Sequence, residues 1–348
     1  MSQKTETKPV PGRYSRQVLF SGIGIAGQTK IIASRVAIVG CGALGSVQAE
    51  LLVRAGVGNL RIIDRDFVEE SNLQRQILFD EGDVRGLMPK AVAAEKKLRL
   101  VNSLVSIEGI VEDVNTASIE RLLQGVDLIM DATDNFETRY LVNDYAVCSR
   151  IPWIYGACVG SYGLTFPILP GETACLRCVF ENAPLPGVSP TCDTAGVIGP
   201  IAALVAAMQV AEALKILSEQ LDCTARKLTT VDLWENRHDT IDLPAPHVDC
   251  PCCGRRQFSY LEGADISDIT TICGRNSVQI ASRVKGEIDL DGLARRLEPL
   301  GAVEKTRYLV RVSLDNYQLT VFPDGRVIVS GTRDPAMAKS LYARYVGM

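Results

Sequence analysis

Two sets of residues in this chain are spaced for chemistry. The first is the glycine loop Gly40-Cys41-Gly42-Ala43-Leu44-Gly45, which follows the apolar run Arg35-Val36-Ala37-Ile38-Val39. Gly40 and Gly42 let the backbone approach a ligand closely. A helix starting behind them would turn N–H groups and a partial positive charge toward a phosphate. The second set is two cysteine pairs, Cys175 with Cys178 and Cys250 with Cys253. Four thiolates close a tetrahedral site and leave no position for water, so the expectation is structural zinc, with Cys252 a competing ligand beside Cys253. The clip would tie together two stretches separated by about 70 residues and so restrict the unfolded chain.

Further polar groups follow the glycine loop. Asp64 ends an apolar stretch 24 positions after Gly40, where a carboxylate can accept hydrogen bonds from ribose hydroxyls. Up to this point a nicotinamide-dependent oxidoreductase fits equally well. The segment Asp64 to Gln76, with Lys90 beyond it and Asp131-Ala132-Thr133-Asp134-Asn135 later, separates the readings. Arg75, Lys90 and a carboxylate suit a triphosphate with Mg²⁺, which hydride transfer does not require. A non-catalytic nucleotide-binding module, the other alternative, should lack phosphate ligands, and here none is missing. Cys192 lies in the polar stretch Pro190 to Thr194, ahead of a long apolar run, and a helix N-terminus there would favour its thiolate.

The elements that must position these groups alternate. Strands are expected at Arg35 to Val39, Asn59 to Asp64, Val105 to Val111 and Asp127 to Asp131, with helices at Ala43 to Ala55, Pro89 to Val101 and near Ser118 to Leu123. Parallel neighbours need helical crossovers, so this order implies an α/β, doubly wound, Rossmann-like sheet. After a helix at Phe136 to Ser149 come strands Trp153 to Ala157, Leu164 to Leu169 and Lys227 to Trp234, which make that end mixed. From about Ser277 onward, short strands, the turn Pro323-Asp324-Gly325 and helices at Leu290 to Leu300 and Pro335 to Tyr345 describe a small α+β domain. The expected division is a flexible leader over residues 1–12, a main domain over 13–254 and the small domain over 255–348.

Composition narrows the class. A chain of 348 residues, 47% hydrophobic and 22% charged, buries a large core, and a net charge of −4 disfavours nucleic acid as the main partner. The polar start resembles no signal peptide, so a cytoplasmic protein with reduced cysteines is expected. The uncharged stretch Thr194 to Ala211 falls short of the roughly 20 residues of a membrane span and reads as a buried helix.

Several of these motifs occur together in one known family. Arg13-Tyr14-Ser15-Arg16-Gln17, the glycine loop, Ala55-Gly56-Val57-Gly58, Ser71-Asn72-Leu73-Gln74-Arg75-Gln76, Asp131 to Asn135, Thr191 to Val197 and both cysteine pairs resemble the ThiF/MoeB/HesA family, bacterial relatives of ubiquitin-activating enzymes. The resemblance covers Arg13 to Gly254 and does not reach the small domain. It implies adenylation, with ATP and Mg²⁺, of a ubiquitin-like sulfur carrier at its C-terminal Gly-Gly carboxylate, releasing pyrophosphate, in thiamine or molybdopterin cofactor biosynthesis. It further implies that Asp64 holds the ribose of ATP and that Gly40, Gly42 and Gly45 belong to the nucleotide site. Asn72, Arg75 and Lys90 would contact the phosphates and Asp134 would bind Mg²⁺, with Gln76 and Asn135 also in the nucleotide site. Arg16 is similar to an arginine that reaches into a neighbouring subunit, which implies a homodimer with composite sites. Cys192 is similar to a cysteine that in some members links covalently to the carrier, with a cysteine desulfurase as sulfur donor. A carboxylate nucleophile is already ionised at neutral pH, so such catalysis would rest on positioning and charge stabilisation.

Overall fold

The computed structural model describes residues 10–182, 192–263, 269–272, 276–280 and 288–346. They form two compact units: the larger takes residues 10–84, 89–182 and 197–263, the smaller 85–88, 192–196 and the described residues from 269 on. Residues 255–263 therefore belong with the larger unit. Of the expected leader, residues 1–9 lie outside the described residues.

The larger unit is built on an eight-stranded sheet. In chain order its strands are β1 (Arg35–Val39), β2 (Asn59–Ile63), β3 (Ser106–Ile110), β4 (Leu128–Asp131), β5 (Trp153–Val159), β6 (Tyr162–Ile168), β7 (Lys227–Asp232) and β8 (Arg237–Asp242). Their spatial order is β3-β2-β1-β4-β5-β6-β7-β8. Pairing is parallel from β3 to β5 and antiparallel from β5 to β8. This is the expected doubly wound sheet with a mixed far end. The order reverses at β1, between β2 and β4, the place where such sheets bind ligands beside their carboxyl ends.

Helices cover both faces. Alternation along β1 turns Ala37 and Val39 toward a core they share with α4 (Ile119–Leu123), α5 (Phe136–Ser149), Trp153, Tyr155 and Phe166. Burying each large aromatic side chain contributes about 1.5–3 kcal/mol. The helices α1 (Gly24–Ala33), α2 (Ala43–Ala55), α3 (Lys90–Val101) and α6 (Gly199–Leu217) complete the unit. α6 is the only helix among the described residues long and apolar enough to cross a membrane. It packs against α2, β5 and β6 as a core helix, and a Cβ on Gly163 of β6 would lie 2.4 Å from Val205. It starts five residues later than the uncharged run and continues past Glu212 and Lys215, which pair with each other.

The smaller unit is an antiparallel sheet of β9 (Ile269–Ile272), β10 (Ser277–Ile280), β11 (Ala302–Lys305), β12 (Val310–Leu314), β13 (Tyr317–Val321) and β14 (Val327–Ser330). Their order is β11-β12-β13-β14-β10-β9. α7 (Leu290–Leu297) and α8 (Pro335–Tyr345) cover a core that includes Leu293, Leu297, Val312, Leu319, Val329 and Leu341. The β13–β14 turn is the expected Pro323-Asp324-Gly325, with Gly325 at φ 81°.

Candidate functional site

The glycine loop leaves β1 and enters α2 at the carboxyl edge of the sheet. Gly40 has φ 95°, and a Cβ there would lie 2.5 Å from the Ala132 carbonyl oxygen. A Cβ on Gly45 would lie 2.1 Å from the Gly40 carbonyl oxygen. These two glycines are needed by the fold. Gly42 differs: a Cβ there would meet only Gln76 Nε2, at 3.8 Å. The space over Gly42, at the N-terminus of α2, is open to a ligand.

Acidic and basic groups flank that space. Asp64 follows β2 directly and accepts the N–H of Cys41 at 2.6 Å and the N–H of Asp66 at 2.7 Å. Burial raises its carboxyl above the ordinary value, against the opposing influence of nearby Lys90. Lys90 begins α3 with Pro89 as its N-cap, is buried, and pairs with Asp66 at 3.1 Å. The Cys41 thiol is pushed up by burial and then by Asp64, so it stays protonated.

The Ser71 to Gln76 segment forms a single turn with a capping box, in which Glu69 N–H donates to Asn72 Oδ1 at 3.3 Å. Arg75 donates to the Ser71 carbonyl at 2.9 Å, which turns its guanidinium back onto its own loop. Gln76 is 3% exposed, and its Oε1 has no hydrogen-bond partner among the described residues. A buried amide oxygen without a partner costs roughly 1–3 kcal/mol, a cost that a bound ligand or water could offset.

On the other side of the loop, the segment after β4 is held from beneath. Asp131 pairs with Arg139 of α5 at 3.2 Å, and both are buried. Gln48 of α2 and Gln209 of α6 each donate to the Asp131 carbonyl at 2.9 Å, and Gln48 also donates to Gln209 at 2.6 Å. Asn135 caps α5 by accepting Thr138 N–H at 2.8 Å. Asp134 is exposed, and the guanidiniums of Arg65 and Arg139 are near enough to interact with its charge. Sequence reasoning passed over Gln48, Arg139 and Gln209. The signal available was a polar residue on an apolar helix face, seen most plainly at Gln209 within α6.

The structure thus gathers Gly40, Gly42, Gly45, Asp64, Gln76, Lys90 and the Asp131 to Asn135 loop at one edge of the sheet. Asn72 and Asn135 are engaged in local caps. Arg16 is exposed on the short helix Ser15–Val18, close in sequence to exposed Leu19, Phe20 and Ile25. The backbone of Cys192 begins the short helix Cys192–Ala195, and its side chain lies outside the described residues.

The four expected cysteines converge. Cys175 and Cys250 have Sγ atoms 3.6 Å apart, Cys178 and Cys253 3.4 Å, and Cys175 and Cys178 3.9 Å. All four lie within 4.8 Å of one another. Metal–sulfur bonds of about 2.3 Å in a tetrahedron imply sulfur separations of about 3.8 Å, so the quartet fits a metal ion such as zinc. Cys252 is not one of these four; buried, it accepts from Asn143 Nδ2 at 3.2 Å and adjoins Cys175 and Asp144. The same Asn143 accepts Leu176 N–H at 2.8 Å through Oδ1, so α5 ties both cysteine arms.

The sequence pattern of the ThiF family matches residues 14–252. This chain belongs to the ThiF family. It is 47% identical over 338 residues to the sulfur carrier protein ThiS adenylyltransferase of Bacillus subtilis (strain 168), covering 97% of this chain and 99% of that one. It is 36% identical over 253 residues to the SAMP-activating enzyme E1 of Haloferax volcanii, covering 73% of this chain and 92% of that one. Among solved structures, E. coli MccB aligns with a TM-score of 0.62 at 25% identity, covering 73% of this chain and 74% of that one. The ThiF-family match takes in the glycine loop, Asp64, Gln76, Lys90 and Asp134. Only the Bacillus alignment, of these three, is long enough to take in most of the smaller unit as well.

Proposed function

We propose that this chain adenylates the C-terminal Gly-Gly carboxylate of a ubiquitin-like sulfur carrier of the ThiS type. The observation that carries the reading is the open space over Gly42, faced by a buried amide at Gln76 and flanked by Asp64 and Lys90, in a chain related end to end to a ThiS adenylyltransferase. In the reaction a carboxylate oxygen of the carrier forms a bond to the α-phosphorus of ATP. The bond from that phosphorus to the bridging oxygen breaks, and pyrophosphate leaves with the electron pair. No proton needs to be removed, so the chain's task is alignment and charge stabilisation.

Asp64 retains lone pairs for a ribose hydroxyl beyond the two backbone donors it accepts. Asn72, Arg75, Gln76 and Lys90 take the phosphates, Arg75 by swinging off the Ser71 carbonyl when ATP arrives. Asp134, open to solvent and ahead of the Asn135 cap, holds Mg²⁺, which supplies charge neutralisation on the phosphates when bound. Cys175, Cys178, Cys250 and Cys253 hold structural zinc. Exposed Arg16, near Leu19, Phe20 and Ile25, is the group we assign to a partner subunit's site in a homodimer. Cys192 is the thiol we assign to a covalent carrier link, with sulfur delivered by a cysteine desulfurase in the cytoplasm; Cys192→Ser should then adenylate normally and lose the adduct.

The test is exchange of radiolabelled pyrophosphate into ATP in the presence of a ThiS protein ending in Gly-Gly. Label should enter ATP only when carrier is present, and Arg75→Ala or Asp134→Ala should abolish it. Exchange without carrier, or undiminished in both variants, would overturn the reading.

A further inference from the structure

We propose that Arg139 is a positioning residue that sets where Asp134 stands relative to the phosphate cradle; this rests on the adenylation reading. Its guanidinium comes from the first turns of α5 and is almost completely buried. Nη2 donates to the Thr133 carbonyl at 2.6 Å and to the Gly156 carbonyl of β5 at 3.1 Å, while Nε pairs with Asp131 at 3.2 Å. Its carbon lies 5.0 Å from the Tyr155 ring centroid and 5.4 Å from that of Phe136. The other Asp131 oxygen accepts Thr133 N–H at 2.9 Å and Thr133 Oγ1–H at 2.7 Å. Both ends of the Asp131 to Thr133 turn are therefore fixed through one guanidinium and the carboxylate it faces.

That turn is also the floor of the glycine loop. The Ala132 carbonyl oxygen would lie 2.5 Å from a Cβ on Gly40, and the Ala132 side chain 3.1 Å from a Cβ on Gly45. Asp134 is the next residue after the clamped Thr133. Moving Thr133 thus moves the carboxylate of Asp134 against a cradle that stays in place. A buried ion pair is not by itself a gain in stability over apolar residues of similar volume, so the geometry it fixes is what the pair contributes. Lysine could keep the charge but not the planar fork that reaches two carbonyls and a carboxylate at once.

Pyrophosphate exchange, titrated with Mg²⁺ and with a ThiS protein ending in Gly-Gly, tests the role. Arg139→Lys should fold with full zinc content, need roughly tenfold more Mg²⁺ for half-maximal exchange, and show a lower kcat with KM for the carrier unchanged. Thr133→Val, which removes only the hydroxyl bond to Asp131, should shift the Mg²⁺ requirement in the same direction by a smaller factor, and it stands as the test if Arg139→Lys does not fold. Combining Arg139→Lys with Asp134→Asn should be no slower than Asp134→Asn alone, because both act at one group. Effects that multiply, or a wild-type Mg²⁺ requirement in the variant that is scored, would overturn the proposal while leaving adenylation standing. Wild-type exchange by Asp134→Asn would remove the role given to Asp134 above and this proposal with it.

Discussion

The carboxylate of Asp64 accepts the backbone N–H of Cys41 at 2.6 Å, so the end of β2 holds the first turn of the glycine loop. Its second oxygen accepts the N–H of Asp66. An amide offers one acceptor oxygen in place of two, so Asp64→Asn leaves one of these donors unpaired at a cost of about 1–3 kcal/mol. The variant should fold and raise KM for ATP roughly tenfold, as read by pyrophosphate exchange.

A pH dependence follows from the same carboxyl, whose pKa burial raises above the usual carboxylate range. As pH falls, Asp64 takes up its proton earlier than an ordinary aspartate, so KM for ATP should climb on the acid side of neutrality. Stability runs the other way. The folded pKa exceeds the unfolded one, so this group's contribution is complete below the unfolded pKa and is lost as pH rises through the folded pKa. Asp64→Asn should flatten both trends; an acid limb in KM unchanged in that variant would count against the assignment.

The two outer glycines and the middle one should fail differently. Gly45→Ala places a Cβ 2.1 Å from the Gly40 carbonyl oxygen, so the backbone must shift and stability should fall by about 1–3 kcal/mol. Gly42→Ala meets only Gln76 Nε2, at 3.8 Å, and should lose less than about 1 kcal/mol. Yet the added methyl occupies the space over the N-terminus of α2, so ATP affinity should drop while thermal unfolding barely changes. A Gly42→Ala variant that binds ATP like the wild type would mean the phosphates sit elsewhere.

Much of this was legible in the sequence because it is local. The glycine loop reads off its spacing after an apolar run, and the cysteine quartet off two C-x-x-C steps. Strand β8 was not legible, since Arg237 to Asp242 offer no alternation and are exposed throughout; pairing with β7 alone makes them a strand. The Asp131–Arg139 pair needs a strand end and a helix turn brought together, which no periodicity reports. The direction of the Arg75 side chain is likewise a matter of rotamer, and the residue type does not encode it. The competition between Cys252 and Cys253 is open from spacing; only the fold brings Cys253 among the four close sulfurs and sets Cys252 against Asn143 of a different element.

That last relationship can be tested on the metal. Cys252 accepts a hydrogen bond from Asn143 and lies outside the quartet, so Cys252→Ser should purify with one zinc per chain. Cys175→Ser or Cys253→Ser removes one of four thiolates whose sulfurs already stand at the spacing of a tetrahedral edge, and zinc content should fall well below one. Because the quartet joins the turn after β6 to the segment around Cys250, metal loss should release both arms together and cost more than about 4 kcal/mol. Strong chelators should lower the melting temperature of the wild type and of Cys252→Ser alike, and leave that of Cys253→Ser unmoved. If Cys252→Ser lost zinc while Cys253→Ser kept it, the ligand set would have to be redrawn around Cys252, and the Asn143 bond would then hold a ligand and not a bystander.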